Sequence, residues 1–265
     1  MLGAVVTVVM IIIAIFAPLI APYDPIYDAD LMVAEEPPSS SYIFGTDDQG
    51  RDIFSRVVYG ARISLSVGLI SQLMNSIIGI TLGLLAGYFG KWVDDLIMGL
   101  TNIMLSIPSI IFALAIMALL GPGLINVFIA LGFTNWSYTC RITRSQALYT
   151  KNLNYVNASR ALSYSEVNIM FTQILPNIVG PILVIATLGI SGAILIEASL
   201  SFLGLGTQPP TPSWGGMLAT AREQLFTAPW ISIFPGMFIF LTVLGLNLFG
   251  DGLRDLLDPH TSQRK

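Results

Sequence analysis

The sequence predicts an all-α, polytopic membrane protein of six transmembrane helices with both termini in the cytoplasm. Three observations predict it. Of 265 residues, 54% are apolar and only 11% are charged, against roughly 25% charged in a soluble domain. Charge-free windows recur at 1–23, 63–90, 96–140, 167–196, 198–221 and 224–250, and about 20 apolar residues suffice for one crossing of a bilayer. The basic residues are segregated: Lys91, Arg141, Arg144, Lys151, Arg160, Arg254, Arg264 and Lys265 fall on the side shared by the termini, and only Arg51, Arg56, Arg62 and Arg222 on the other. Positively charged loops stay inside, which orients the chain.

The first span, 2–21, reads as an anchor rather than a signal peptide. No Lys or Arg precedes it, and Pro22 follows the candidate small residue Ala21, an arrangement unsuited to signal cleavage. The absent basic start leaves open that Met1 is not the natural beginning. Segment 22–62 lies outside and carries Asp24, Asp28, Asp30, Glu35, Glu36, Asp47, Asp48 and Asp52, which account for most of the net charge of −4. Within it Asp47, Arg51, Asp52 and Arg56 alternate in sign at near-helical spacing, the pattern of a solvated helix face laced with ion pairs.

A core of five further spans occupies 63–252. In the second span, 64–88, Gly79, Gly83 and Gly87 recur every four residues, and small residues on one face let helices approach closely in lipid. Asp94 and Asp95 beside Lys91 and Trp92 read as an interfacial anchor; adjacent on a helix, they diverge by about 100° and form no paired-carboxylate catalyst. The 96–140 window is too long for one crossing and contains Gly121-Pro122-Gly123, which cannot continue a helix. It therefore splits into spans 96–119 and 123–140.

The cytoplasmic loop 141–176 reads as helix, turn, helix. Ser163 and Glu166 have capping-box spacing, with Ser165 as the alternative cap, and a helix follows to Leu175 before Pro176. The fifth span is 177–199. Window 198–221 holds Gln208-Pro209-Pro210-Thr211-Pro212-Ser213 and reads as a loop, with a re-entrant path open to it, since irregular backbone at membrane depth needs cover from protein or water. The sixth span is 230–250, and 253–265 is a cytoplasmic tail.

Several chemistries are excluded. One cysteine, Cys140, and one histidine, His260, leave no metal cluster and no intrachain disulfide. No basic footprint for nucleic acid exists, and no catalytic constellation. Gly90-Lys91 lacks the remainder of a phosphate-cradling loop, so any ATP chemistry belongs to another polypeptide. Glu197 is the one acid near a membrane boundary in the spans. It reads as support for the loop at Gly204–Gly206, with an outer gate as the alternative.

Asn157-Ala158-Ser159-Arg160-Ala161-Leu162-Ser163, followed by Ile174-Leu175-Pro176-Asn177, resembles the coupling loop of ABC importer permeases. The resemblance extends to Phe44-Gly45-Thr46-Asp47-Asp48-Gln49-Gly50-Arg51-Asp52-Ile53-Phe54-Ser55-Arg56 and Tyr59–Leu65. It continues through Glu197–Gly206 with Pro212-Ser213-Trp214-Gly215, and ends at Asp251–Pro259. Together these are similar to the dipeptide, oligopeptide and nickel permeases of the type I fold. Departures fall in the coupling loop: Asn157 stands where the family has Glu, Ser159 where it has Ala, and Ser163 where it has Gly. Ser163 disfavours positive φ, so closure of the turn by a Ser163 cap is expected.

The resemblance implies a permease in the prokaryotic plasma membrane that forms half of a pathway for short peptides, or alternatively nickel or a metal chelate. It implies a paralogous permease, two ATPase subunits or domains that bind ATP and Mg, an extracytoplasmic substrate-binding protein, the lipid bilayer, and no cofactor on this chain. Asn157, Ala158, Ser159, Arg160, Ala161, Leu162 and Ser163 would then meet the ATPase, and Asp47, Arg51, Asp52 and Arg56 gain a second reading as a rim for the binding protein. The contrasting hypothesis, a secondary transporter or channel working alone, predicts ionisable residues at mid-membrane, which these spans lack. An intramembrane hydrolase would need paired acids or a buried His.

Overall fold

The computed structural model describes residues 1–257. Residues 258–265, which include His260, Arg264, Lys265 and the Asp258-Pro259 end of the last motif, lie outside the described residues. Helices run α1 Leu2–Ile15, α2 Ala17–Ile20, α3 Ile53–Phe89, α4 Lys91–Ser106, α5 Ser109–Leu120, α6 Leu124–Gly132, α7 Trp136–Thr150, α8 Asn154–Ala161, α9 Glu166–Ile169, α10 Leu175–Phe202, α11 Trp214–Thr220 and α12 Trp230–Leu257. Among the described residues the sole β pairing is one bridge between Thr46 and Asp52.

Among the described residues three continuous helices are long and apolar enough to cross a membrane: Ile53–Phe89, Glu166–Phe202 and Trp230–Leu257. The second joins α9 to α10 through a π-helical turn at Met170–Ile174. The break expected before Pro176 does not occur: the wider turn absorbs a proline that cannot donate a backbone hydrogen bond. α3 begins at Ile53, well before the expected 64, because Asp52 caps it by accepting from Ser55 N.

The remaining passes are interrupted. α1 and α2 bend apart at Phe16, just before Pro18. The expected span 96–119 is two helices, α4 and α5, meeting at 90°. Ile107, the residue before Pro108, is extended at φ −98, ψ 124, as the proline ring requires. The expected span 123–140 is likewise divided into α6 and α7 at Phe133–Asn135. The turn at Gly121–Gly123 holds as read, with both glycines at positive φ.

Glycines set the closest crossings. A Cβ at Gly79 would lie 2.6 Å from Thr139 Cβ, at Gly83 2.5 Å from Cys140 O, and at Gly87 2.7 Å from Arg144 O. Residue numbers rise together, so α3 and α7 pack in parallel at backbone contact, the arrangement small-residue stripes permit. Gly3 meets Leu248 and Phe249 while Gly245 meets Val6 and Thr7, so α1 runs antiparallel to α12. Residue 1 and residue 257 therefore sit at the same end of the bundle. The opposite end is filled by Ile53, Val57, Trp214, Met217 and Ile231, and a separate cluster of Leu84, Tyr88, Val156, Ile169 and Ile174 lies under α8.

Candidate functional site

Two assemblies at opposite ends of the bundle hold the residues singled out in the sequence. The first is a helical hairpin. α8 presses Val156, fully buried, into the cluster with Leu84, Ile169 and Met170. Ser159 is also buried, its hydroxyl donating to Tyr155 O at 3.1 Å. Asn157, Ala158, Arg160, Ala161, Leu162 and Ser163 are exposed, with Leu162 at 72%. Tyr164 and Val167 extend the same exposed apolar edge. This is a short helix seated by one face with an apolar rim left uncovered.

The expected Ser163 cap is not formed. Ser163 itself takes the left-handed conformation at φ 58, and Ser165 caps α9 by accepting from Asn168 N at 3.3 Å. The turn therefore keeps the backbone shape that suits glycine, at a steric cost of about 1–2 kcal/mol. Asn157 answers Arg160 rather than a distant partner: Arg160 Nη1 donates to Asn157 Oδ1 at 3.0 Å and to Lys151 O at 3.3 Å.

Beneath the hairpin, Arg144 on α7 clasps Asp94 on α4 with Nε and Nη2. This hydrogen bonding holds the Asp94 carboxyl below its ordinary range despite partial burial, and raises the Arg144 guanidinium in turn. Lys151 Nζ donates to Gly87 O at 2.7 Å and Tyr88 O at 3.2 Å, satisfying carbonyls at the C-terminus of α3. Burial, then the charge of Arg160, pushes its ammonium down.

The second assembly is a buried knot. Asp47 Oδ1 accepts from Gln49 N at 2.9 Å and Arg51 N at 3.0 Å, and Oδ2 accepts from Arg51 Nε at 2.8 Å. Arg56 Nε lies 3.3 Å from the same Oδ2, and Arg56 Nη1 donates to Pro25 O at 2.6 Å. Asp47, Arg51, Asp52 and Arg56 are 4%, 4%, 2% and 6% exposed. The solvated helix face expected from their spacing is thus corrected. Asp47 and Arg51 belong to a tight loop, Asp52 is the helix cap, and segment 22–45 with Pro210 covers the group. Burial, followed by repulsion from Arg51, lowers the Arg56 guanidinium to about 10, which leaves it charged at neutral pH.

Glu197 connects the knot end to α10. It is fully buried, and its Oε1 accepts from Ser201 Oγ at 2.7 Å, with Ser213 and Ser64 beside the carboxyl. Ser201 Oγ in turn fills the space a side chain at Gly206 would need, 1.8 Å from an ideal Cβ. α10 ends with Gly204 at φ 81, Gly204 N donating to Ser201 O and Leu205 N to Leu200 O, a Schellman closure. The chain then returns through α11, whose Trp214 is wholly buried and donates Nε1 to Val57 O at 2.9 Å.

Two residues escaped the sequence reading. Asn75, 1% exposed in the middle of α3, donates Nδ2 to Leu131 O at 3.2 Å and accepts from Asn135 N at 3.1 Å. Its amide thus spans the pair of backbone groups that an unbroken α6–α7 helix would have joined. A polar amide in an apolar window, shared there only with Gln72, was the available signal. The second is Tyr88, whose hydroxyl donates to Glu166 Oε2 while the Arg160 guanidinium lies 5.4 Å from its ring centre. Among the described residues no cluster of His, Cys, Asp or Glu could hold a metal.

Residues 79–263 match the family described as binding-protein-dependent transport system inner membrane component, and residues 1–38 match the N-terminal TM domain of oligopeptide transport permease C. The chain is 47% identical over 259 residues to the dipeptide transport system permease protein DppC of Alkalihalophilus pseudofirmus, spanning 97% of this chain and 84% of the relative. It is 44% identical over 259 residues to the glutathione transport system permease protein GsiD of Escherichia coli, spanning 98% and 86%. An inward-facing structure of the MetNI methionine ABC transporter superposes with a TM-score of 0.60 at 18% identity, covering 78% of this chain and 98% of that one; this likeness concerns the fold. The chain therefore belongs to the family of inner-membrane components of binding-protein-dependent transport systems, as a multi-pass permease subunit of an ABC transporter and not an enzyme.

Proposed function

We propose that this permease imports short peptides across a prokaryotic plasma membrane, driven by ATP hydrolysed on separate subunits. Near relatives carry dipeptide, tripeptide and glutathione transport in their names, which favours peptide over nickel as the cargo. Six passes are assigned: α1–α2, α3, α4–α5, α6–α7, the continuous α9–α10, and α12. The antiparallel packing of α1 on α12 and the gathering of basic residues around the hairpin support cytoplasmic termini. Accordingly 1–21 is the first helix, 22–62 the extracytoplasmic segment, 63–252 the permease core with coupling loop 141–176, and 253–265 the tail.

The observation that carries the reading is the exposed apolar rim of Ala161, Leu162, Tyr164 and Val167 on a hairpin whose other face is firmly seated. An apolar rim facing the cytoplasm needs a partner to cover it. The partner is the ATPase: Asn157, Ala158, Arg160, Ala161, Leu162 and Ser163 dock in its cleft, Ser159, expected there too, is buried on the seated face and supports that surface from beneath, and ATP and Mg stay on the ATPase. A paralogous permease completes the pathway, two ATPase subunits or domains lie beneath, and a substrate-binding protein delivers cargo outside. The Asp47–Arg56 knot shapes the surface that protein meets, and Glu197 buttresses the loop beside it.

Leu162→Asp tests the docking. It places a charge in the rim and leaves Val156 seated, so the ATPase is expected to be lost on co-purification and peptide uptake with it. An ATPase retained with uptake at the original level refutes the reading.

A further inference from the structure

α3 differs from the other long helices. α10 contains Pro181 and α12 contains Pro235, whereas the 37 residues of α3 run from Ile53 to Phe89 without a proline. At 1.5 Å per residue this is a rod of about 55 Å with no built-in kink. Its first turn is fastened at the knot end: Asp52 caps it, Arg56 reaches Pro25 O and Pro210 O, and Val57 O accepts from Trp214 Nε1. Its last turn is fastened at the hairpin.

That second fastening is Tyr88. The ring is 7% exposed, set among Leu84, Val156 and Ile169. Its hydroxyl bonds Glu166 on α9, while its face receives Arg160 from α8, a cation–π arrangement. Arg160 and Glu166 stand on opposite sides of the turn at 162–165, so one side chain grips both arms of the hairpin. Lys151, which holds the Gly87 and Tyr88 carbonyls, also accepts Arg160 Nη1 on its own carbonyl.

We infer that Tyr88 is a positioning residue for energy coupling: it ties both arms of the hairpin to α3, which carries hairpin motion to the knot and the Trp214 loop at the far end. This rests on the docking reading above. Movement of a docked partner reaches the bundle only through contacts that hold the hairpin firmly to it, since a partner biases a conformation only by contacts that differ between states. An apolar seat alone lets the hairpin slip; the hydroxyl bond to a carboxylate fixes its azimuth.

The test uses the assembled importer in proteoliposomes, reading ATP hydrolysed per peptide imported. Tyr88→Phe keeps the ring and removes the hydroxyl, and Glu166→Gln weakens the same bond from an exposed position. A hydrogen bond to a charged group corresponds to about tenfold in an equilibrium. Each variant is therefore expected to raise the ratio several-fold while the ATPase still co-purifies. A ratio unchanged in both overturns the inference, and so does loss of the ATPase from Tyr88→Phe, which would make the tyrosine a scaffold. Leu162→Asp serves as the separate arm: if it still holds the ATPase and stays coupled, the docking reading is what fails.

Discussion

Replacing Asn75 by leucine removes the amide across the α6–α7 break while nearly preserving volume. Two hydrogen bonds disappear, those to Leu131 O and from Asn135 N. The losses are unequal: Leu131 O keeps a bond from Thr134 N at 3.2 Å, whereas Asn135 N is left without an acceptor. A stranded backbone donor costs about 1–3 kcal/mol, and an interhelical bond within a membrane contributes on the order of 1 kcal/mol. The unfolding free energy of the purified permease in mild detergent should therefore fall by about 2 kcal/mol. Ile77→Leu, on an exposed part of the same helix, is the control for altering α3 at all. A loss below about 0.5 kcal/mol for Asn75→Leu, within the range of neutral surface changes, would refute the idea that the amide holds the break.

Two further outcomes follow from local geometry. Ser163→Gly removes a side chain from a φ of 58 and should stabilise the hairpin by about 1 kcal/mol, seen as slower proteolysis between α8 and α9. Asp94 is depressed by Arg144, so its contribution is present above the unfolded carboxylate range and fades as pH falls through the folded value. Thermal stability should drop more steeply on acidification below about pH 4 in the native protein than in Asp94→Asn, and parallel curves would contradict that assignment.

Much of the fold is written in the charge-free windows, because lipid admits few charges and each long helix must be apolar. The breaks are less legible. Pro108 was visible, yet uninterrupted hydrophobicity around it suggested a continuous span. The division at Phe133–Asn135 has no glycine or proline; its amide splint comes from Asn75, on another helix and far away in sequence. The Asp47–Arg56 group shows the same limit for charge. Spacing indicates which signs can pair, whereas burial depends on the remote segments at Pro25 and Pro210 that close over them. In the hairpin, residue type alone does not mark Leu162, Tyr164 and Val167 as exposed, and the grip of Tyr88 on Arg160 and Glu166 joins positions too distant for any periodicity.

The π-helical turn at Met170–Ile174 is a place where the chain can absorb a residue without turning the hairpin. Each turn of that kind holds one residue more than an α-helical turn. Deleting one residue there would restore ordinary winding and leave α9 at nearly the same bearing on α10, because four α-helical steps of about 100° sweep roughly the angle of five narrower π steps. Deleting one residue from the regular part of α10 would instead turn α9 by about 100° and swing Ser165 and Glu166 away from Tyr88. The coupling arm thus tolerates a change of length at the wide turn that it would not tolerate one turn further along.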